Sequence, residues 1–317
     1  MTFQQPTFSV VLIPCRWFKI NSLWPLSLKF LMWILEIFFM DIFVIKNFLG
    51  DDFIMTNLSK KLCTTLLAFS ILGSYSFAKS LKVGASAVPH AEILQAVKPQ
   101  LKEKGLDLEI IEFNEYVTPN LALASGDLDA NFFQHAPYLE KFRTERNLKI
   151  SQVGEGVFIS PIAAFSDKYK SLDEVKKGGV VAIPSDPTNG GRALLLLHHK
   201  GIITLKDPTD LSATEFDIIK NPKKLKFKSI EAPQLPRVIK DVDVAVINCN
   251  YALQAKLDPT KDSIAIEGPE SPYANIVAVR DENINNPDVK LLVDELRTEN
   301  IKNFINETYK GSVIAAF

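Results

Sequence analysis

The 317-residue chain predicts an α/β protein of two lobes, each built on a mostly parallel sheet with a ligand cleft between them. Three observations carry this. Strand-like apolar runs alternate with helix-like segments from residue 81 onward. The alternation starts afresh near residue 167, as a second βαβ set would. Between the strand-like Gly179-Val180-Val181-Ala182-Ile183-Pro184 and an apolar helix lies the polar turn SDPTNGGR (185–192), a pattern suited to cradling an anion.

Taken in order, Leu81 to Ala87 reads as a first strand ending in small residues. Pro89 opens a helix to about Lys104, stopped by Gly105, and Pro99 inside it predicts a kink or break. Leu106 to Phe113 begins with strict alternation and reads as a second strand. Residues 117–124 form a short helix ended by Ser125-Gly126, Ala130 to Phe133 a brief strand, and Ala136 to Asn147 a charged helix. Phe158 to Ser166 reads as one further strand. In the second set, Leu172–Lys177 is a short helix, Val180–Ile183 a strand, and Arg192–Lys200 a helix capped by Gly201. Lys226–Ile230 and Val242–Asn248 are strands around a short helix at Gln234–Lys240. The last strand, Ala274–Arg280, precedes one amphipathic helix from about Pro287 to Tyr309.

The N-terminal part differs from the rest. From Met55, two lysines (Lys60, Lys61) precede the uncharged stretch Leu62 to Leu72, which ends in Gly73, Ser74 and Ser76-Phe77-Ala78. This is the layout of a secretory signal peptide over 55–78, cleaved after Ala78. Residues 1–54 are apolar but broken by Lys29, Glu36, Asp41 and Lys46, and are expected to be a non-native or disordered extension, with translation starting at Met55. The remainder carries 30 Lys and Arg against 33 Asp and Glu, which gives no reason to expect a nucleic-acid partner. The run Lys223-Lys224-Leu225-Lys226-Phe227-Lys228 is too short to change that and reads as a solvated strand edge or loop. Of the cysteines at 15, 63 and 249, only Cys249 lies beyond the signal, so no disulfide can form within the exported chain. It sits in a strand-like run and reads as a small buried residue. With no second His or Cys at ligand spacing, neither metal nor cofactor is expected. An exported two-lobed chain of this size without disulfides has the make-up of a solute-binding protein. The expected lobes are 79–165 with 273–317, and 166–272.

Ligands in such sheets sit beyond the carboxyl ends of strands. In the turn after Ile183, Asn189 or Ser185 can cap the helix, and Gly190 and Gly191 would let a ligand approach the backbone. Arg192 lies in the first turn, where a cation opposes the helix dipole. A bound carboxylate would relieve that conflict, and so would pairing with Asp186 or exposure to water. Tyr116 follows the second strand, and Phe133 and Tyr138 with His135 between them, at the end of the brief strand at 130, would make an apolar wall with polar tips. The other reading is core for Phe132 and Phe133 and a structural hydrogen bond for His135. No pair of carboxylates or nucleophile with a base stands out, so an enzyme is not expected.

The stretches VPHAEIL (88–94), EYVTPNLALASGDLDANFFQHAPYLEKF (115–142), VAIPSDPTNGGRALLLL (181–197), AVINCNYA (245–252) and ESPYANIVAVR (270–280) resemble the methionine-binding proteins of the NlpA lipoprotein family, the periplasmic components of methionine ABC importers. The resemblance covers residues 81–317 in order and none of 1–54. It implies a periplasmic-binding-protein type II fold with methionine held between the lobes. Arg192 would take the ligand carboxylate, with Asn189 in the same turn. Asn248 would hold the head group, and Asn250 would assist. Tyr116, Phe133, His135 and Tyr138 would line the side-chain pocket, and Tyr273 and Asn275 would close it. A thioether is polarisable and gains about 0.3–1.5 kcal/mol at an aromatic edge, which suits such a wall. One departure concerns the anchor: Ile71-Leu72-Gly73-Ser74 has serine where the family carries an acylated cysteine, so a soluble periplasmic monomer is expected. Its partner would be a membrane ABC permease and ATPase complex. Another small amino acid, a methionine dipeptide or a sulfur compound is the alternative cargo, and an enzyme on the same fold the more distant alternative.

Overall fold

The structure, a computed structural model, describes residues 79–268 and 271–317. The expectations for residues 1–54 and the 55–78 signal lie outside the described residues. The described residues form thirteen strands: β1 (Lys79–Ser86), β2 (Leu106–Phe113), β3 (Ala130–His135), β4 (Ile150–Ile159), β5 (Ala163–Phe165), β6 (Val180–Pro184), β7 (Thr204–Leu205), β8 (Ile218–Lys220), β9 (Lys226–Ile230), β10 (Val244–Ile247), β11 (Ala265–Ile266), β12 (Ala274–Arg280) and β13 (Ile314–Ala315). The first sheet has the order β13-β4-β12-β3-β1-β2, the second β11-β5-β10-β6-β9, and β7 pairs with β8 alone.

Each sheet is parallel only in part. In the first, β1 lies between β2 and β3 and runs parallel to both, while β12 returns antiparallel between β3 and β4. In the second, β10, β6 and β9 are parallel, and β5 runs antiparallel to both its neighbours, β10 and β11. The antiparallel members follow from connectivity: β12 re-enters the first sheet from the second without a crossover helix of its own. The register of β12 shifts between Asn275 and Val277 against both neighbours. Such a bulge re-aims side chains at the end of a strand.

Each sheet has its own core. Under the first, the Glu92–Glu103 helix buries Ile93, Leu94, Val97 and Leu101 against Val83, Leu108 and Phe132. Each such side chain contributes about 2 kcal/mol in lost water contact. Under the second, the Pro187–His199 helix buries Leu194, Leu196 and Leu197 against Val181, Val244 and Val246. No described helix is long and apolar enough to cross a membrane.

Several elements differ from the sequence reading. The segment 158–166 is not one strand: β4 ends at Ile159, and after Pro161 the chain enters the second sheet as β5. The crossing between sheets therefore lies at residues 160–162, before the expected boundary at 165, because proline cannot donate to a ladder. The first helix runs through Pro99; residues 95 and 99 are both exposed, so the unpaired Gln95 carbonyl meets water. The single helix expected over 287–309 is two, Pro287–Leu296 and Glu299–Tyr309, parted at Arg297-Thr298. The segments at 172 and 232 close only as 3₁₀ turns. The lysine-rich run forms β9, the edge of the second sheet, with Lys226 and Lys228 exposed.

Candidate functional site

The strands β3, β6 and β10 end at the same place, and the residues just past them meet. Nine of the ten expected site residues line one cavity: Tyr116, Phe133, His135 and Tyr138 on one side, Asn189, Arg192, Asn248 and Asn250 on the other, and Asn275 from β12. The tenth, Tyr273, is not among the lining residues. Its ring lies under the Arg192 guanidinium, 4.2 Å away, and edge-on to His135 at 4.9 Å. His90, Gln134, Ser160 and Cys249 complete the lining.

The glycine turn works differently from the anion cradle expected of it. The helix begins at Pro187, not Arg192, and Asp186 caps it by accepting from the Asn189 backbone N–H at 2.9 Å. Ser185 instead donates to Glu231. The helix N-terminus already faces a carboxylate of the chain itself. Gly190 and Gly191 lie inside the helix, where a Cβ would stand 2.9 Å from the Pro184 carbonyl and 2.6 Å from the Leu211 carbonyl. They permit close packing of the helix on its own chain, not approach of a ligand.

Arg192 is 2% exposed and sits in the second helical turn. It neither pairs with Asp186 nor reaches water. Its Nε donates to Glu267 Oε1 at 3.0 Å, and its Nη2 donates to Glu267 Oε2 and to the Ser160 carbonyl at 2.8 Å. Nη1 has no protein partner among the described residues. The pair answers the unfavourable dipole position with a carboxylate 75 residues away in sequence.

A chain of fixed amides runs from the first sheet to the second. The Tyr138 backbone N–H donates to His135 Nδ1 at 3.1 Å, which places the ring proton on Nε2. Nε2 then donates to Asn189 Oδ1, 3.1 Å away, which also accepts from Asn248 Nδ2 at 2.8 Å. Asn189 Nδ2 donates to both oxygens of Asp186 at 3.0 Å. Asn189 thus spends its side chain on positioning. A second link joins Tyr116, whose hydroxyl donates to Asn250 Oδ1 at 2.6 Å. Burial, then the nearby Arg192 charge, hold the His135 pKa down at about 3, so the ring is neutral. Burial likewise lowers His90 to about 4 and pushes the Cys249 thiol up to about 12. Cys249 donates to the Ser312 carbonyl, in keeping with the structural part expected of it.

Four buried polar atoms of lining residues have no partner among the described residues: His90 Nδ1, Ser160 Oγ, Asn248 Oδ1 and Asn250 Nδ2. Because His90 Nε2 faces Asn275 Oδ1 at 2.9 Å, its Nδ1 is an acceptor. Asn248 Oδ1 is a second acceptor, and Asn250 Nδ2 a donor lining the same cavity as Arg192. Unpaired buried groups of this kind are costly unless something binds them. Across from them Phe133, Tyr138 and Tyr116 pack at centroid distances of 5.8 to 6.2 Å. The cavity thus joins an aromatic slot to a set of donors and acceptors fit for a zwitterion. Gln134 is held by Asn120 and Asn131 in a buried amide cluster and makes the floor rigid.

Sequence reasoning missed His90, Ser160, Glu267 and Gln134. His90 follows the end of β1, the position where such sheets bind ligands, and that signal could have found it. Ser160 and Glu267 lie on connections between the sheets and carry no local pattern.

The NlpA lipoprotein family model matches residues 81–317. The D-methionine-binding lipoprotein MetQ of Escherichia coli strain K12 is 44% identical over 237 residues, covering 74% of this chain and 87% of the relative. Among solved structures, a nutrient-binding protein from Burkholderia cenocepacia bound to methionine superposes with a TM-score of 0.72 at 51% identity, covering 75% of this chain and all of that one. An ABC transporter periplasmic substrate-binding protein from Coxiella burnetii gives a TM-score of 0.71 at 43% identity, covering 74% of this chain and all of its own. The fold is that of these two-lobed α/β binding proteins, and the chain belongs to the NlpA lipoprotein family.

Proposed function

We propose that the chain is a periplasmic solute-binding protein that captures methionine in the cavity at the ends of β3, β6 and β10 and delivers it to a membrane ABC permease. One observation carries this reading: a single cavity combines an aromatic slot with buried donors and acceptors that the protein leaves unpaired. The names of the relatives from Escherichia coli and Burkholderia cenocepacia point to the same ligand. The α-carboxylate takes Arg192 Nη1 and Asn250 Nδ2. The ammonium takes Asn248 Oδ1, and the thioether lies along Phe133, Tyr138 and Tyr116. Asn189, His135 and Asn275 hold these groups in place, and Tyr273 supports Arg192.

The protein is no enzyme on this reading: the cavity histidines His90 and His135 are held neutral by burial, and the Cys249 thiol is far from the thiolate range. It works as an exported monomer, free of a lipid anchor, whose two lobes close on the ligand. The bonds from His135 to Asn189 and from Tyr116 to Asn250 latch the closed form. Titration calorimetry with L-methionine tests the reading, with binding expected at about micromolar affinity or tighter, roughly −8 kcal/mol or beyond. No heat with methionine, together with a different retained mass on native mass spectrometry, rejects it.

A further inference from the structure

The Arg192 guanidinium is not a free positive charge. Glu267 takes two of its five N–H groups and the Ser160 carbonyl a third, leaving the pair on Nη1. Both members are shielded, with side chains 2% and 14% exposed. An ion pair held this tightly presents directional donors to the cavity but little net charge. The histidines facing the same space, His90 and His135, are neutral and add none. The Asp186 carboxylate lies behind Asn189, off the lining, where it accepts from the Asn189 backbone and side-chain amides and the Thr188 hydroxyl. A ligand carboxylate docking on Nη1 therefore brings an uncompensated negative charge into a buried site unless the ligand carries its own cation. The acceptors Asn248 Oδ1 and His90 Nδ1 await such a cation.

We infer that Glu267 determines specificity: by neutralising Arg192 it restricts the cavity to ligands of zero net charge, accepting an amino acid and refusing the same side chain on a simple carboxylic acid. This rests on the methionine reading above and deepens it.

The test is a ligand series of constant tail and varied charge: methionine, 4-(methylthio)butanoate, which lacks the ammonium, and methioninamide, which lacks the carboxylate charge. Glu267→Gln keeps an oxygen for Arg192 Nε and removes the charge. Relative to methionine, the variant is expected to bind the butanoate at least about tenfold better than the unaltered protein does, and the amide at least about tenfold worse, the size of one charge acting at short range in a partly screened site. Opposite movement of the two analogues is a signature that a merely structural role would not give. Equal weakening of all three ligands overturns the inference while leaving the methionine reading intact. Should the variant not fold, the unaltered protein decides: butanoate binding within about tenfold of methionine overturns the inference, and at least about a hundredfold weaker binding supports it. Failure of methionine itself to bind the unaltered protein instead removes the underlying reading.

Discussion

The two walls of the cavity are built from different materials. The wall from the first sheet is aromatic and amide: Phe133, Tyr138 and Tyr116, with neutral His135 and His90. The wall from the second sheet carries the charges and the head-group amides: the Arg192–Glu267 pair, Asp186 under Asn189, and Asn248 and Asn250. The first offers shape and polarisability, the second direction and charge. A ligand that meets only one wall leaves either the aromatic slot or the unpartnered polar atoms of the other unsatisfied. The division also separates what a substitution can do. Changes on the second wall should act on recognition of the head group, and changes on the first on the side chain and on the latch.

Among single substitutions at neutral pH, the largest effect is expected from Arg192→Ala. On the binding side it removes a charge-assisted contact and should weaken methionine by at least about 2 kcal/mol in calorimetry. On the folding side it leaves Glu267 shielded and unpaired, at a cost of about 3 kcal/mol in urea unfolding. Binding unchanged in the folded variant would show that the second wall does not hold the carboxylate, and the contrast between walls would collapse.

Next comes Gly191→Ala, which separates packing from ligand approach on the second wall. A Cβ there would stand 2.6 Å from the Leu211 carbonyl and 3.0 Å from the Ala213 nitrogen. Overpacking against backbone should cost about 2 kcal/mol of stability, read by thermal or urea unfolding. A variant of full stability but impaired binding would reverse the assignment of that glycine.

How much of this was visible in the residues depends on how far apart the partners lie. The alternation of strands and helices, and the placing of site residues after strand ends, are local patterns. They pointed to the segments holding Tyr116, Phe133, His135, Tyr138, Asn189 and Arg192, while Asn248, Asn250 and Asn275 came from the family resemblance. The glycines misled because glycine is a poor helix former in isolation, so the helix was expected to start after them. In the fold they are the residues that let it start five positions earlier, at Pro187, since the Pro184 carbonyl lies where a side chain at 190 would be and backbone of Leu211 and Ala213 where one at 191 would be. Glu267 was illegible for another reason. A carboxylate 75 residues from its partner leaves no periodic trace, and the pairing exists only once β11 has brought the chain alongside β5. Pro161 was a readable stop that the apolar continuity of 158–165 masked.

On the first wall, the buried histidines predict an acid limit. His135 and His90 have folded pKa values of about 3 and about 4, below their ordinary 6.5. The unfolded chain therefore binds more protons between these values. Stability is fully present above pH 6.5 and falls as the pH drops through the window toward 3, by up to about 1.4 kcal/mol per pH unit for each ring. Unfolding free energies measured from pH 7 to pH 4 should show this slope, and His135→Asn should remove one proton's share of it. A flat profile would mean that these rings are not held neutral by burial.

The smallest expected effect is the one that best isolates the latch. Tyr116→Phe keeps the ring among Phe133, Tyr138 and Tyr251 but deletes the hydroxyl that donates to Asn250 Oδ1 at 2.6 Å. The amide then loses the bond that orients it, and its Nδ2 no longer points reliably at the ligand carboxylate. The loss should be about 1 kcal/mol, or roughly fivefold in methionine affinity. Because the bond joins the two walls, the loss should appear mainly as faster dissociation, with association little changed, as stopped-flow fluorescence can resolve. An equal loss is expected with 4-(methylthio)butanoate, which shares the carboxylate and the tail. An equal loss with all three ligands, methioninamide included, would instead place the role in closure itself. A loss confined to methioninamide, which lacks the carboxylate, would contradict the assignment of Asn250 to the carboxylate end.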